Sequence, residues 1–412
     1  MKIAYVLADP GIGIFGTKGA SVHAQEIIRA LRQLGHEVTV FCTKRGNKHG
    51  EPETEFVPGD LRDLPVFVVP VAGVKGAAAR EQAVLRTSHR MADLVIEGGF
   101  DLIYERYSLF STAGATATRQ TGAPLIVEVN SPLLAEQSTH RSLHDSDTAM
   151  QTTLQTFAAA ALLSCVSTPV ADWVRCLIAP DSSSGTPQIQ VSPNGVNTQR
   201  FSPRPVSETT DDAENSPFTV GFLGTLKPWH GTETLLEAFA SAPATGRNSW
   251  RCEILGDGPQ RQQLEDLAAQ LGIRDQIIFH GAAAPEEVPQ VLSRWDVGVA
   301  PYPATQQSST HYFSPLKIYE YLAAGLPVIA SEVGEIPSVI DHGRTGLLAP
   351  GSDTGSLAAA LAQLAGDRQR RQSMGAAARA EAEQKHSWLA RTTDILRAAG
   401  LPAPLAAQEV AT

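Results

Sequence analysis

The chain has 412 residues, long enough for two domains with separate cores, and its 42% hydrophobic and 18% charged residues are the balance of an ordinary soluble protein. A formal net charge of -10 argues against nucleic acid as a partner. Cys42, Cys165, Cys176 and Cys252 lack C-x-x-C spacing, and all but Cys176 sit in strand-like runs, so they read as buried thiols of a reducing compartment and not as a zinc site or disulfide frame.

The first predicted strand is "KIAYVLA", and Asp9 ends its apolar run too early for a secretory leader. Gly11, Gly13 and Gly16 follow and spell G-x-G-x-x-G, the dinucleotide-binding fingerprint. A true fingerprint has its third glycine inside a helix start and an acid near the end of the second strand. Here the amphipathic helix, with stripe Ile27, Ile28, Leu31 and Leu34, extends back only to Ser21 as a plausible N-cap, and Gly35 ends it. The second strand, "EVTVFC", runs into "TKRG" with no acid. Lys44 and Arg45 suit a 2′-phosphate, so an NADP-linked oxidoreductase stays an alternative. The part nearest the helix says more. Lys18 and Gly19 bring a cation and a close-approach glycine to a helix N-terminus, where free N–H groups favour an anion. A tight turn alone is the plainer reading.

Residues 75–90 are locally basic and helix-like, which reads first as a solvated face and leaves peripheral contact with a membrane open. The strands "DLIYE", "PLIVEV" and "LLSCVS" follow. The apolar run "FAAAALLSCV" at 157–166 falls well short of the ~20 residues that cross a bilayer. A cytoplasmic protein is expected, at most peripheral to the inner face of a membrane. After a polar loop at 181–188, residues 202–217 are rich in Pro, Ser, Thr and acids and read as the interdomain linker.

The second half repeats the pattern with "FTVGFL", "RCEILG", "QIIFH", "DVGVAP" and "PVIAS". Nearly all these strands are apolar throughout, as parallel strands covered on both faces are. The expected fold is α/β: two doubly wound Rossmann-like domains, 1–201 and 218–385, facing across a cleft where ligands sit at strand ends. Residues 386–412 are the C-terminal helix and its frayed tail. That helix is expected within "AEQKHSWLARTTDILRAAG", with Trp388, Leu389 and Ile395 on its apolar side.

The strongest signal is "SPLKIYEYLAAGLPVIAS". Ser314 reads as an N-cap, Pro315 as the first helical residue, Leu316 as part of the apolar face, and Gly325 as the stop. Lys317 lies in the first turn, where the dipole disfavours a cation unless an anion is bound. Glu320, three residues on, shares its face. A lysine for phosphate and a carboxylate for vicinal hydroxyls suit a nucleotide diphosphate; a surface Lys–Glu pair is the plainer reading.

At this point nearly the full length resembles the retaining family-4 glycosyltransferases of the two-domain GT-B architecture. The resemblance is carried by "GTKGASVHAQEIIRALRQLGHEVTVF", "DLIYERYSLF", "PLIVEVNSPLLAEQ", "VSPNGVNTQRFSP", "VGFLGTLKPWHGTETLLEAF", "ILGDGPQRQQLEDLA", "WDVGVAPYP", "SPLKIYEYLAAGLPVIAS" and "DHGRTGLLAPGSD", in that order. It implies metal-independent transfer of a sugar from a nucleotide-diphosphate donor, favoured as a UDP-sugar, to a hydroxyl acceptor that is a glycan, lipid-linked or small molecule. No cofactor is implied beyond that co-substrate. By the same resemblance Glu320 binds the ribose, Ser314 to Lys317 cradle the diphosphate with Gly19 opposite, Gly281 and Ala282 lie near the base, and the final helix crosses back to the first domain.

The sequence departs from the family in three places, the second of them covering two residues. Tyr312 stands where a glutamate is common, and with His311 offers hydrogen bonds to a sugar hydroxyl. Thr225 and His230 replace an arginine and a lysine, leaving Lys227 as the nearby cation. Asn130 replaces a histidine. These departures keep a catalytically idle sugar-nucleotide-binding module as an alternative. Glu128 and Asn130 are two apart and share a strand face, close to Glu105 and Arg106 at the end of the preceding strand. Either they form a site or Arg106 and Glu128 form a structural ion pair. Glu105 or Glu128 is a candidate base for the acceptor. His23 either lines the acceptor pocket or is a solvated helix residue.

Overall fold

The computed structural model describes residues 1–46, 57–140, 143–178, 187–204, 217–242, 250–304 and 311–402. The proposed linker at 202–217, the polar loop at 181–188 and the tail therefore lie largely outside the described residues. The chain divides into two compact units, Met1–Asn194 with Trp388–Thr412, and Gly195–Ser387.

The first unit holds strands β1 (Lys2–Leu7), β2 (Glu37–Cys42), β3 (Val66–Val68), β4 (Leu102–Arg106), β5 (Leu125–Val129), β6 (Leu162–Cys165) and β7 (Gln188–Val191). They form one parallel sheet in the order β3-β2-β1-β4-β5-β6-β7. The strand order reverses between β1 and β4, which makes their carboxyl ends the natural binding edge. The helix Gly19–Gln33 starts earlier than the sequence suggests. Lys18 takes the cap position in extended conformation, and Ser21 is buried within the helix. The helix Trp388–Ala398 packs beside it, burying Trp388, Ile395 and Leu396.

The second unit holds β8 (Phe218–Leu223), β9 (Trp250–Leu255), β10 (Ile277–Gly281), β11 (Val297–Ala300), β12 (Val328–Ser331) and β13 (Gly346–Ala349). They are parallel, in the order β10-β9-β8-β11-β12-β13, with the reversal between β8 and β11. The segment from Gly195 belongs here because Arg379 donates to the carbonyls of Thr198 (2.9 Å) and Ala323 (2.6 Å). The single final helix expected from sequence is two helices, Arg368–Lys385 and Trp388–Ala398. Between them Val196 N–H bonds the His386 carbonyl at 2.7 Å and bridges to Ser387, which turns the chain.

Two aromatic residues set the reversal point of the second sheet. Trp295 lies against Gly221 and Tyr321 against Gly298, so closely that a Cβ at either glycine would collide with a ring. The β8–β11 register covers only Val220–Val297 and Gly221–Gly298. Beyond it the Tyr321 hydroxyl accepts the Leu223 N–H at 2.8 Å and donates to the Val299 carbonyl at 3.4 Å. A side chain thus takes over the backbone groups where the two strands part, and pins the helix Leu316–Ala323 with its start at the strand ends.

Candidate functional site

In the second unit, the helix Leu316–Ala323 begins one residue later than expected. Pro315 occupies the cap position in extended conformation, and no side chain caps the helix. Ser314 is not the cap, because its hydroxyl pairs with that of Tyr319 at 2.9 Å. The uncapped start leaves backbone N–H groups for an anion. Lys317 is 7% exposed, and its ammonium has no hydrogen-bond partner among the described residues. It lies over Phe222 at 4.1 Å and Tyr302 at 5.2 Å. A Cβ on Gly224 would come within 2.9 Å of its Nζ, so the glycine just past β8 makes the space that the ammonium fills. Burial pulls its pKa down to about 7, against the opposing pull of Glu320. A buried cation with aromatic faces, whose burial outweighs the pull of Glu320 and which completes no hydrogen bond among the described residues, is a site that gains from binding an anion.

The neighbours supply less charge than expected. His230 contacts Phe222 and Tyr302, and its Nδ1–H donates to the Thr225 carbonyl. Burial, and then Lys317, pull its pKa down to about 3, so it is a neutral ring with Nε2 as its acceptor nitrogen. The Thr225 side is exposed. Lys227 lies over Trp229 at 4.6 Å, and that tryptophan is 54% exposed. Glu320 and Tyr312 are partly buried, and both are engaged. His311 is buried, and neither ring nitrogen completes a hydrogen bond among the described residues. Gly281 ends β10 with φ +79° and accepts the Gly256 N–H at 2.8 Å, while Ala282 is exposed. The structure thus groups Lys317, Glu320, Ser314, Pro315 and Leu316 on one helix start, with Thr225 and His230 beside them. A buried Glu253, accepting from Trp295 at 3.1 Å and paired with His280 at 3.0 Å, escaped the sequence reading, since nothing local marks it.

In the first unit, Lys18 and Gly19 are exposed at the helix start. Of the fingerprint glycines, Gly13 has a packing role. A Cβ on Gly13 would strike the Gly46 carbonyl, Phe15 N–H bonds the Arg45 carbonyl at 2.8 Å, and Gln25 donates to the carbonyls of Ile14 (2.9 Å) and Gly16 (3.1 Å). Arg45 itself lies over the Phe15 ring at 4.9 Å. His23 is buried, pairs with the Glu128 carboxylate, and meets Trp388 edge-on at 4.8 Å. Arg106 Nη1 stands 3.9 Å from Glu128. Burial raises the Glu128 pKa, but His23 and Arg106 outweigh it and hold the carboxyl below its ordinary range. Asn130 lies near enough to favour the ionised form without completing a hydrogen bond. Glu105 does not join this group. It projects from the other face, where it accepts from Ser111 Oγ at 2.6 Å and Gly114 N–H at 2.9 Å, and burial pushes its pKa up to about 7. Among the described residues no cluster of His, Cys, Asp and Glu is arranged to hold a metal, and no helix is long and apolar enough to cross a membrane.

Comparisons with known proteins show the family and the fold. Residues 208–381 match the model "Glycosyl transferases group 1", and residues 17–200 match "Glycosyltransferase Family 4". The chain is 26% identical over 398 residues to a D-inositol 3-phosphate glycosyltransferase of Nocardia farcinica, covering 91% of this chain and 83% of that one. It is 31% identical over 215 residues to a GDP-mannose-dependent alpha-(1-6)-phosphatidylinositol monomannoside mannosyltransferase of Mycobacterium tuberculosis, covering 51% and 56%. Among solved structures it resembles Anabaena HepE in complex with UDP, with TM-score 0.70, 20% identity and coverage of 96% and 99%. Sucrose-phosphate synthase from Thermosynechococcus elongatus gives TM-score 0.70, 19% identity and coverage of 96% and 98%.

Proposed function

The chain belongs to the group 1, family 4 glycosyltransferases of GT-B fold, and from that premise we propose that it moves a sugar from a UDP-sugar to a hydroxyl acceptor, retaining anomeric configuration and using no metal. The observation that carries the donor reading is the buried Lys317 ammonium, which completes no hydrogen bond among the described residues, at an uncapped helix start beside the β8–β11 reversal. The leaving diphosphate gains negative charge in the transition state, and a preorganised cation and helix N–H groups there lower the barrier. Lys227 adds a second cation from the loop after β8, and Glu320 accepts the ribose hydroxyls in this reading. UDP is preferred as the carrier because HepE, which shares this fold, is described with UDP; the GDP-mannose-dependent relative makes GDP the competitor.

A donor panel tests this. Wild-type protein is expected to release free UDP slowly from one UDP-sugar without acceptor, and Lys317→Ala and Glu320→Ala are each expected to lose at least tenfold in donor affinity with an unchanged urea midpoint. Near-normal turnover in both variants overturns the site, and cleavage of GDP-sugars alone overturns the choice of nucleotide.

A further inference from the structure

The loop after β8 holds a tryptophan in water with a lysine over its face. Of the five tryptophans, Trp250, Trp295 and Trp388 are buried and Trp173 is half-buried, while Trp229 is 54% exposed. An indole gains more than most side chains from burial, so packing does not account for this exposure. The backbone beneath it is firmly held. Leu226 is buried, donates its N–H to the Asp257 carbonyl at 3.0 Å and accepts the Gln260 N–H at 3.2 Å. On the other side His230 contacts Phe222 and Tyr302, and a Cβ on Gly231, whose φ is +68°, would strike the Pro301 carbonyl. Trp229 stands in the short turn Pro228–His230 between these two anchors.

The ring has a charged neighbour. Lys227 Nζ lies 4.6 Å from its centroid, and the His230 ring meets it near edge-on at 6.3 Å. Lys317 belongs to the same corner, since a Cβ on Gly224 would stand 2.9 Å from Lys317 Nζ and 3.9 Å from His230 Nδ1. Lys317 and Lys227 both act electrostatically on His230, which is neutral and adds no charge of its own. The second cation of this corner is therefore Lys227. An ammonium on a four-carbon stem is a poorly fixed charge, and the rotamer freedom it loses on meeting an anion weakens binding. Lys317 is fixed by burial over Phe222 and Tyr302. Lys227 is only half-buried, and the indole does for it what those two rings do for Lys317. A ring face attracts the ammonium without neutralising it, and at an exposed ring the attraction is weaker than a charge-assisted bond to a phosphate.

We propose that Trp229 is a positioning residue for donor binding: its indole face holds the Lys227 ammonium beside the Lys317 anion site, so that one buried and one surface cation meet the diphosphate of the sugar nucleotide. The proposal rests on the donor reading above and adds to it a role for an exposed tryptophan on a fixed turn.

Calorimetry with UDP on the full chain tests it. Trp229→Ala is expected to weaken UDP about fivefold, and Trp229→Phe, which keeps a ring face, about twofold at most. Lys227→Ala is expected to lose at least as much as Trp229→Ala. The double variant should lose no more than about twofold beyond Lys227→Ala, because the ring acts through the lysine. Urea midpoints of all four variants should stay close to the wild type. Iodide quenching reads the pair without nucleotide: Trp229 is the exposed tryptophan, and Lys227→Ala should lower quenching by the anion relative to neutral acrylamide. Unchanged UDP affinity in Trp229→Ala, a double variant that loses the product of the two single losses, or iodide quenching indifferent to Lys227→Ala overturns the proposal. Failure of the donor reading looks different: UDP binding is then absent or indifferent to Lys317→Ala, while iodide still reports the pair.

Discussion

On the proposed reading, Lys317 gains from the bound diphosphate the counter-charge that Glu320 supplies only in part, and this makes donor affinity depend on pH. Burial has pulled its pKa to about 7, and a bound diphosphate favours the ammonium and raises it again. Donor affinity is therefore expected to be highest below pH 7 and to fall above it, approaching about tenfold per pH unit. UDP binding at pH 8 should take up close to one proton, seen by calorimetry in buffers of different ionisation heat; no uptake there contradicts the assignment. Glu105 shows the opposite coupling. Its folded pKa, about 7, lies above the unfolded value of ~4.3, so the folded state prefers the neutral acid. The stability this lends is complete below the unfolded value and is lost as pH rises towards 7, on the order of 3 kcal/mol. Urea unfolding at pH 5 and pH 8 should show that loss in the wild type and a flatter profile in Glu105→Gln. Sequence places Glu105 and Glu128 alike, at the ends of neighbouring strands. Only the register separates them: Arg106 opposite Glu128 puts Glu105 opposite Val127, and one residue of offset reverses the face. His23 is not a solvated helix residue: four-residue spacing to Ile27 and Leu31 puts it on the buried stripe, a signal that the open alternative passed over. Its partner across 105 positions was not legible.

Among the elements, the buried strands were readable because they are apolar from end to end. Those missed are β3, β7 and β13. β3 is three residues at a sheet edge, β7 is a partly exposed "QIQV", and β13 is an edge strand of four residues, so none gives a long apolar run. The helix start at 314–317 was read nearly in place from Ser-Pro, but the cap shifted because the Ser314 hydroxyl finds Tyr319. What sequence cannot reveal is the clamp made by Tyr321 between β8 and β11. Tyr321→Phe leaves the Leu223 N–H and the Val299 carbonyl without their partner at the strand reversal. The expected cost is about 1–3 kcal/mol in urea unfolding. A weaker UDP affinity should accompany it, because the same helix carries Lys317. An unchanged midpoint and an unchanged affinity together would remove Tyr321 from the support of the site.

For the whole molecule, the repeated strand–helix alternation made two units legible, but the proline-rich, acidic stretch at 202–217 does not mark where they part: the first unit ends at Asn194, and the second begins at Gly195. The return of the chain is subtler. Residues Trp388–Ala398 belong with the first unit although they follow the whole of the second, and the turn at His386–Ser387 that frees them depends on Val196, far away in sequence. Trp388 is the anchor of that return. It is buried, and its ring meets His23, which in turn holds Glu128. Truncating it opens a cavity against the helix Gly19–Gln33 and should cost about 3–5 kcal/mol in the first unit. Because none of these contacts touches β8–β13, hydrogen exchange in Trp388→Ala should rise in Gly19–Gln33 and in β5. Protection in Leu316–Ala323 should stay as in the wild type, and with it UDP binding. Equal loss of protection in both units would mean that they unfold as one cooperative body, and that the tryptophan stabilises the chain as a whole rather than the half into which it is packed.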